Sequence, residues 1–163
     1  TSASPCFLMV GTARPAPISM MAIFEFSFSF NPKEIIRKYE KGTAPLSARI
    51  AAVKTLISRG YKVGLRFLPL LPVANYENLY RELLQKLRAE IDFTKVSSVF
   101  IASLIYNPGD FKQMQKKNPN SDLRSLVSPQ ENGLVKIDNP VWEHFLQIFA
   151  EELPEVKLYF DYV

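Results

Sequence analysis

Hydrophobic and polar residues alternate without a break over residues 24–31. Phenylalanine stands at positions 24, 26, 28 and 30, and the positions between and after them hold Glu25, Ser27, Ser29 and Asn31. A period of two is that of a β-strand, whose successive side chains point to opposite faces of a sheet. We therefore predict a strand over residues 22–31, with helices packed behind its phenylalanine face and a polar hollow in front of the other face.

Helical and strand patterns alternate along the rest of the chain. They predict helices over 32–40, 45–59, 75–90, 107–117 and 140–152, strands over 61–70, 96–105 and 156–162, and a hairpin over 123–137 whose loop is Ser128–Gly133. The order strand, helix, strand, helix, strand is typical of an α/β fold, a parallel sheet with right-handed crossover helices. Ligands of such sheets bind at the carboxyl ends of the strands.

Composition and charge narrow the class of protein. A chain of 163 residues with 47% hydrophobic residues is one globular domain or a large part of one. The net charge of +4 is compatible with a nucleic-acid partner, although many enzymes are equally basic. The sequence has one cysteine, Cys6, and one thiolate cannot hold a zinc ion or an iron–sulfur cluster. No apolar run approaches the ~20 residues that span a bilayer, so no membrane partner is predicted and a cytoplasmic location is the expectation.

The first 21 residues differ from the rest of the chain in composition and in hydrophobic periodicity. They are rich in Ser, Ala, Pro and Met and show no period, and Pro15 and Pro17 exclude a regular helix there. We interpret residues 1–21 as an irregular lead-in. The chain begins with Thr1 instead of methionine, which favours a processed chain or one cut from something larger.

Four polar residues are candidates for a binding site on the first two strands. Ser29 and Asn31 lie at a strand end, where they could hold a ribose hydroxyl or a carboxylate, or serve only as local caps of the strand exit. Glu25 lies deeper on the same face and needs a partner there. Arg66, on the next strand, either pairs with Glu25 or reaches a ligand carboxylate or phosphate.

Two further features are weaker candidates. His144, the only histidine, falls with Glu143, Gln147 and Glu151 on the face of its helix that we expect to be solvated, and no catalytic triad can be built around it. The densest basic region comprises Lys112, Lys116, Lys117 and Arg124. It could touch a phosphate backbone, or it could be a solvated face.

One block of residues carries a resemblance to a known family. The block consists of Ser29-Phe30-Asn31, then Glu40-Lys41-Gly42-Thr43-Ala44-Pro45-Leu46, then Arg49-Ile50, and finally Arg59-Gly60-Tyr61. This pattern of a Ser-x-Asn strand, a Gly-Thr-x-Pro-Leu helix entry and an Arg-Ile helix resembles the spore photoproduct lyase family of radical S-adenosylmethionine enzymes. The resemblance covers about residues 22–163.

The resemblance implies a fold, cofactors and a partner. The family fold is a partial, incomplete β/α barrel, of which residues 22–163 would be the C-terminal half, with a hairpin, helix and strand as a C-terminal extension. Members bind a 4Fe–4S cluster through three closely spaced cysteines, and the cluster cleaves S-adenosylmethionine to a radical that acts on a DNA photolesion. By the match, Ser29 and Asn31 contact S-adenosylmethionine on the fourth strand, and Arg66 lies on the fifth.

The chain departs from the family in two ways. The cluster cysteines are missing, so we expect this chain alone to be inactive as a lyase. The hairpin tip reads Glu131-Asn132-Gly133, where the family carries an Arg-Tyr pair that grips the lesion. The main alternative is a non-catalytic α/β module that contacts nucleic acid or a protein. A half barrel also leaves an open sheet edge, through which we expect self-association.

Overall fold

The structure, a computed structural model, describes residues 24–161. The predicted lead-in and Cys6 lie outside the described residues. The helices are α1 (Lys33–Tyr39), α2 (Leu46–Ser58), α3 (Tyr76–Glu90), α4 (Pro108–Lys117) and α5 (Asn139–Glu152). The strands are β1 (Glu25–Ser29), β2 (Lys62–Leu70), β3 (Ser98–Ser103), β4 (Ile105–Tyr106), β5 (Ser128–Pro129), β6 (Val135–Lys136) and β7 (Leu158–Phe160).

The main sheet is parallel and open. Its strand order is β1-β2-β3-β7, and all three pairings are parallel. This confirms the predicted α/β class and the partial barrel, since the four strands form an open sheet and do not close on themselves. A smaller antiparallel sheet, β4-β6-β5, contains the predicted hairpin, which turns where the Gln130 carbonyl accepts from Gly133 N–H at 2.9 Å.

Local sequence signals explain where the helices begin and end. Pro45 caps α2 and Pro108 begins α4, because a proline has no N–H to leave unpaired in a first helical turn. Gly60 follows α2 with a φ of 80°, the left-handed conformation that favours glycine just beyond a helix end. No helix among the described residues is both long and apolar enough to cross a membrane.

The core lies between the parallel sheet and the helices α2, α3 and α5. It is built from residues with no or almost no exposed surface, including Phe30, Ile50, Val53, Leu65, Phe67, Tyr80, Leu84, Phe145 and Phe149. The Phe67 and Phe149 rings meet edge to face with centroids 4.9 Å apart, so that α5 is seated directly on β2. The opposite face of the sheet is left without helices among the described residues.

The phenylalanines of the first strand are not all covered in the way the alternation predicts. Phe30 is fully buried and Phe28 is half-buried, but Phe26 is 41% exposed and Phe24 is 66% exposed. The prediction of helices behind the whole face is therefore wrong for the first half of the strand. The core helices pack on the later residues of the strand, and the ring contact found for Phe26 within residues 24–161 is with Tyr61, at 5.3 Å between centroids.

Candidate functional site

Four side chains form a row across the helix-free face of the parallel sheet. Ser29 on β1 pairs in register with Arg66 on β2, Arg66 with Phe100 on β3, and Phe100 with Tyr159 on β7. Register partners in a sheet share a face, and neighbouring strands lie about 4.8 Å apart. We call this face the open face, and its other members beside the row include Glu25, Ser27, Lys62, Gly64 and Ser98.

An ion pair with two serines occupies the middle of the open face. Arg66 Nη2 donates to Glu25 Oε1 at 2.6 Å, and Arg66 Nη1 donates to Ser98 Oγ at 2.8 Å. Ser98 Oγ donates in turn to Glu25 Oε1 at 2.8 Å, and Ser97 Oγ donates to Glu25 Oε2 at 2.9 Å. The predicted pairing of Glu25 with Arg66 is thereby confirmed, while contact of Arg66 with a ligand stays a prediction.

The surroundings of Glu25 keep its carboxylate ionised. Partial desolvation raises the pKa of Glu25, but the hydrogen bonds from Ser98 and Ser97 and the charge of Arg66 outweigh it. The pKa of Glu25 therefore lies below its ordinary value.

Gly64 makes this arrangement sterically feasible. A Cβ at position 64 would lie 2.3 Å from Glu25 Oε1, 2.7 Å from Ser98 Oγ and 2.9 Å from Arg66 Nη1. All three distances are shorter than real Cβ contacts. The absence of a side chain at Gly64 thus leaves the space in which the side chains of Glu25, Arg66 and Ser98 contact one another.

A shallow cavity of about 660 Å³ lies beside the ion pair. Its lining combines charged, hydroxyl and aromatic groups: Glu25, Arg66, Leu68, Ser98, Phe100, Tyr159 and Phe160. The Arg66 guanidinium lies 5.9 Å from the centroid of the Phe100 ring. Such a volume and such a mixture of flat apolar walls with a few polar groups are typical of small-molecule sites.

Asn31 is placed differently from its neighbours on β1. Its side chain is 1% exposed, donates from Nδ2 to Glu40 Oε1 at 2.9 Å, and accepts at Oδ1 from the Tyr80 hydroxyl at 2.9 Å. The expectation that the Asn31 amide turns to the polar side with Ser29 is therefore wrong. The strand ends at Ser29, so the alternation that placed Asn31 no longer holds two residues later.

Tyr80 and Arg49 extend this buried network in two directions. Tyr80, fully buried in α3, accepts at its hydroxyl from Leu71 N–H at 3.1 Å, and burial raises the pKa of this phenol far above its ordinary value. Arg49 in α2 is 8% exposed and donates from Nη2 to Glu40 Oε2 at 2.5 Å. The network therefore joins β1 to both helices at the carboxyl end of the sheet.

The Arg49 guanidinium also fixes backbone. Its Nε donates to the Ala44 carbonyl at 2.8 Å and its Nη1 donates to the Ser29 carbonyl at 2.9 Å. A third bond runs from Nη2 to Thr43 Oγ1 at 2.8 Å. The Ser29 side chain itself is exposed, and within the described part of the chain no hydrogen bond to its hydroxyl is found. Ser29 is thus held by its backbone and presents its side chain to the open face.

The sequence pattern alone does not predict the buried network, although Glu40, Thr43 and Arg49 all belong to the block that resembles the family. These three residues are charged or polar and lie around a helix entry, and a family pattern does not say what physical role they have. The signal that could have found them is the placement of Arg49 directly before Ile50 on the apolar side of α2, where an arginine needs partners.

The remaining candidates lie away from the open face. His144 keeps 37% of its side chain exposed, which agrees with the predicted solvated face, but its Nδ1 lies 2.7 Å from the Tyr76 hydroxyl and its Nε2 3.8 Å from Glu77 Oε2, contacts that were not predicted. The helix α5 packs on α3 and brings the imidazole to that interface. Glu131 is exposed at the hairpin tip, as predicted.

The residues described do not fit an iron–sulfur cluster. Such a cluster is held by cysteine thiolates, and the sequence has one cysteine. Within residues 24–161, no three His, Cys, Asp or Glu side chains are grouped closely enough to hold a metal ion. The open face, with its hydroxyls, guanidinium and rings, fits an organic ligand instead.

Comparison with curated proteins identifies a consistent set of relatives. A spore photoproduct lyase of Bacillus subtilis is 36% identical over 66 residues, which are 40% of this chain and 19% of that protein. The spore photoproduct lyase of Clostridium acetobutylicum is 32% identical over 81 residues, which are 47% of this chain and 24% of that protein. The matched segments are thus a small part of these longer proteins.

Solved structures show the same fold. A spore photoproduct lyase with a cysteine-to-alanine mutation superposes with a TM-score of 0.71 at 19% identity, covering 85% of this chain and 44% of that chain. Spore photoproduct lyase complexed with dinucleoside spore photoproduct gives a TM-score of 0.67. A double mutant with bound AdoMet (S-adenosylmethionine) and dinucleoside spore photoproduct gives 0.66.

The family is settled by a match that is independent of these pairs. The family model described as spore photoproduct lyase matches residues 20–124, which is more than half of the chain and includes the open face of β1, β2 and β3 and the whole buried network. The chain therefore belongs to the spore photoproduct lyase family.

Proposed function

We propose that the open face binds S-adenosylmethionine, and that this chain contributes the adenosyl-binding half of a radical S-adenosylmethionine protein. The observation that carries the proposal is the row Ser29, Arg66, Phe100 and Tyr159, which sets a hydroxyl, a guanidinium and two aromatic rings side by side across four strands. A relative of the same fold has been solved with AdoMet bound.

Each residue of the row can recognise a different chemical group of S-adenosylmethionine. The Ser29 hydroxyl can donate to and accept from a ribose hydroxyl or a carboxylate. The Arg66 guanidinium has five N–H donors, which leaves donors beyond its bonds to Glu25 and Ser98 for the ligand carboxylate. Phe100 and Tyr159 offer flat surfaces for the adenine ring.

Asn31 takes a positioning role in this proposal. Its side chain is engaged by Glu40 and Tyr80, so it holds the end of β1 instead of touching the ligand. We propose that Asn31 acts on the cofactor through Ser29, two residues before it.

We propose that this chain does not bind a 4Fe–4S cluster by itself. When bound, S-adenosylmethionine supplies the hydrogen-abstracting group of the family's chemistry, but cleaving it requires the cluster and this sequence lacks the three thiolates. We therefore propose that the chain binds the cofactor and has no lyase activity alone.

The substrate class proposed for the complete activity is a nucleic-acid lesion. Support comes from relatives solved with dinucleoside spore photoproduct and from the shared fold. Glu131 at the hairpin tip places a negative charge where contact with a phosphate would be repelled, which argues for a lesion grip different from that of the relatives.

Titration calorimetry with S-adenosylmethionine tests the proposed site without any need for the cluster. We expect saturable binding by the wild-type chain, weakened at least tenfold in Arg66→Gln and severalfold in Ser29→Ala. Ser58→Ala and Arg59→Gln, at the exposed end of α2, are matched controls that should bind as the wild type does. Absence of saturable binding, or equal affinities in all four variants with unchanged melting curves, would refute the adenosyl site.

A further inference from the structure

The positive charge of the chain is concentrated on one surface outside the open face. Residues 33–41 and 110–124 contain eight lysines and arginines and four acidic residues, a net charge of +4, which equals the net charge of the whole chain. All eight cationic side chains are exposed: Lys33, Arg37, Lys38, Lys41, Lys112, Lys116, Lys117 and Arg124. We call this set the basic face.

The two halves of the basic face are tied together in space. Asp122 contacts the ammonium group of Lys38, and its Oδ1 accepts from the Tyr39 hydroxyl at 2.9 Å. These contacts join α1 to a segment more than 80 residues later in the chain. The cations of α1 and those at the end of α4 therefore flank one junction.

A cleft of about 590 Å³ opens at this junction. It is lined by Lys38, Tyr39, Lys41 and residues 118–123. Besides the two lysines, the lining offers the neutral hydrogen-bonding side chains of Asn118, Asn120 and Ser121. Its one acidic lining residue, Asp122, has both carboxylate oxygens engaged by Lys38 and Tyr39.

Of the other three acids of the basic face, Glu40 is also neutralised, while Glu34 and Asp110 are exposed. Glu40 is paired with the buried Arg49 at 2.5 Å, so its charge is compensated from inside the fold. Lys112 and Lys116 are four residues apart on α4, and this spacing puts their side chains on the same side of the helix, about 5–6 Å apart at Cβ. The surface therefore presents a run of cations to solvent.

We propose that the basic face binds the sugar–phosphate backbone of a polynucleotide, with one phosphate in the cleft. Lysine and arginine neutralise phosphates with release of counterions, and Asn and Ser side chains are common donors to phosphate oxygens. The choice of a polynucleotide over an acidic polypeptide rests on the proposed function and on these neutral amide donors.

The position of the basic face agrees with this role. The helix α1 begins four residues after Ser29, and α4 follows the end of β3 by five residues. Both therefore begin at the carboxyl edge of the parallel sheet, where Ser29 lies. A backbone bound along the basic face would run past the edge of the open face, and base contacts would fall to other residues.

Fluorescence anisotropy with a labelled 20-base-pair undamaged duplex tests the basic face. The change is Lys116→Glu with Lys117→Glu, and the control is Lys54→Glu with Lys62→Glu, which alters net charge equally at exposed positions outside the basic face. We expect the first pair to weaken binding at least tenfold and to lower the slope of log affinity against log salt by about 2, because each lysine releases about one counterion. The control pair should weaken binding less than threefold.

Three results would overturn the proposal. Equal losses in both pairs would show that only net charge matters, and absence of binding by the wild type at low salt would show that no polynucleotide is held. Tighter binding of polyglutamate than of the duplex through the same lysines would assign the surface to an acidic polypeptide. Because the assay contains no S-adenosylmethionine, failure of the adenosyl site leaves the expected result unchanged.

Discussion

Arg49 donates a hydrogen bond from Nη1 to the carbonyl oxygen of Ser29 at 2.9 Å, across 20 residues of chain. The same guanidinium bonds the Ala44 carbonyl and the Glu40 carboxylate. One buried side chain thus sets the end of β1, the loop after α1 and the start of α2 relative to one another. The Gly-Thr-x-Pro-Leu loop of the family pattern is the segment that wraps around this guanidinium.

Replacing Arg49 should destabilise the fold strongly. Arg49→Ala removes the donor of Glu40 Oε2 and the Arg49 hydrogen bonds to two backbone carbonyls, and breaking a buried ion pair in this way costs about 3 kcal/mol. Urea denaturation followed by circular dichroism measures the loss. Arg59→Ala, at the exposed end of α2, should change the free energy of unfolding by less than about 0.5 kcal/mol. Similar losses in both variants would contradict the assigned role of Arg49.

Removing the Tyr80 hydroxyl should also be costly, although only one atom is lost. Tyr80→Phe leaves the Leu71 N–H and the Asn31 Oδ1 unpaired in the interior, and buried unsatisfied groups cost about 2 kcal/mol in total. Tyr76→Phe is the matched control, since the Tyr76 hydroxyl contacts the half-buried His144 near the surface. Thermal melts should rank Tyr80→Phe well below Tyr76→Phe, and the reverse order would refute the network.

A single methyl group at position 64 should separate the ion pair of the open face. In Gly64→Ala the new Cβ must displace Glu25 Oε1, which it would otherwise approach to 2.3 Å. We expect a loss of about 1–2 kcal/mol in the free energy of unfolding, where an alanine in a strand would ordinarily be favourable. Nuclear magnetic resonance titration should show the pKa of Glu25 rising towards its ordinary value. An unchanged pKa would show that the side chains adapt without separating.

The stability should depend on pH through Glu25. Because its pKa in the folded state lies below the ordinary value of 4.5, the unfolded state binds the proton more tightly. The stabilisation is therefore present above that ordinary value and is lost as the pH falls through the lower pKa of the folded state. We expect the difference in unfolding free energy between wild type and Glu25→Gln to shrink below about pH 4. A difference independent of pH between 3 and 6 would contradict this.

Much of the fold could be predicted from the sequence because the apolar periods are strong. The alternation before Pro32 and the amphipathic helical spacing from Tyr76 to Leu87 each located an element whose ends the structure moves by only a few residues. The Glu25–Arg66 pair was also accessible, since both residues fall on the polar face of adjacent strands. A local hydrophobic pattern is sufficient to predict a residue's environment where that environment depends only on which face of its strand or helix the residue lies on.

The buried network could not be predicted in this way. Whether Asn31 faces a ligand or the interior depends on where β1 ends and on what Tyr80, almost 50 residues later, brings to it. The ion pair between Lys38 and Asp122 likewise depends on tertiary packing, which the local hydrophobic period does not predict. For the same reason, the period of α5 does not predict the contacts of His144 with Tyr76 and Glu77 of the neighbouring helix α3.

Gly64 also constrains which substitutions this chain can accept. The space it leaves empty is shared by the carboxylate at position 25 and the hydroxyl at position 98, so none of these positions can drift independently. A lineage that gained a side chain at position 64 would be expected to have shortened its neighbours in the same period. In related sequences, coordinated substitution at positions 25, 64 and 98 would then indicate that the ion pair is lost, and glycine at position 64 would indicate that it is retained.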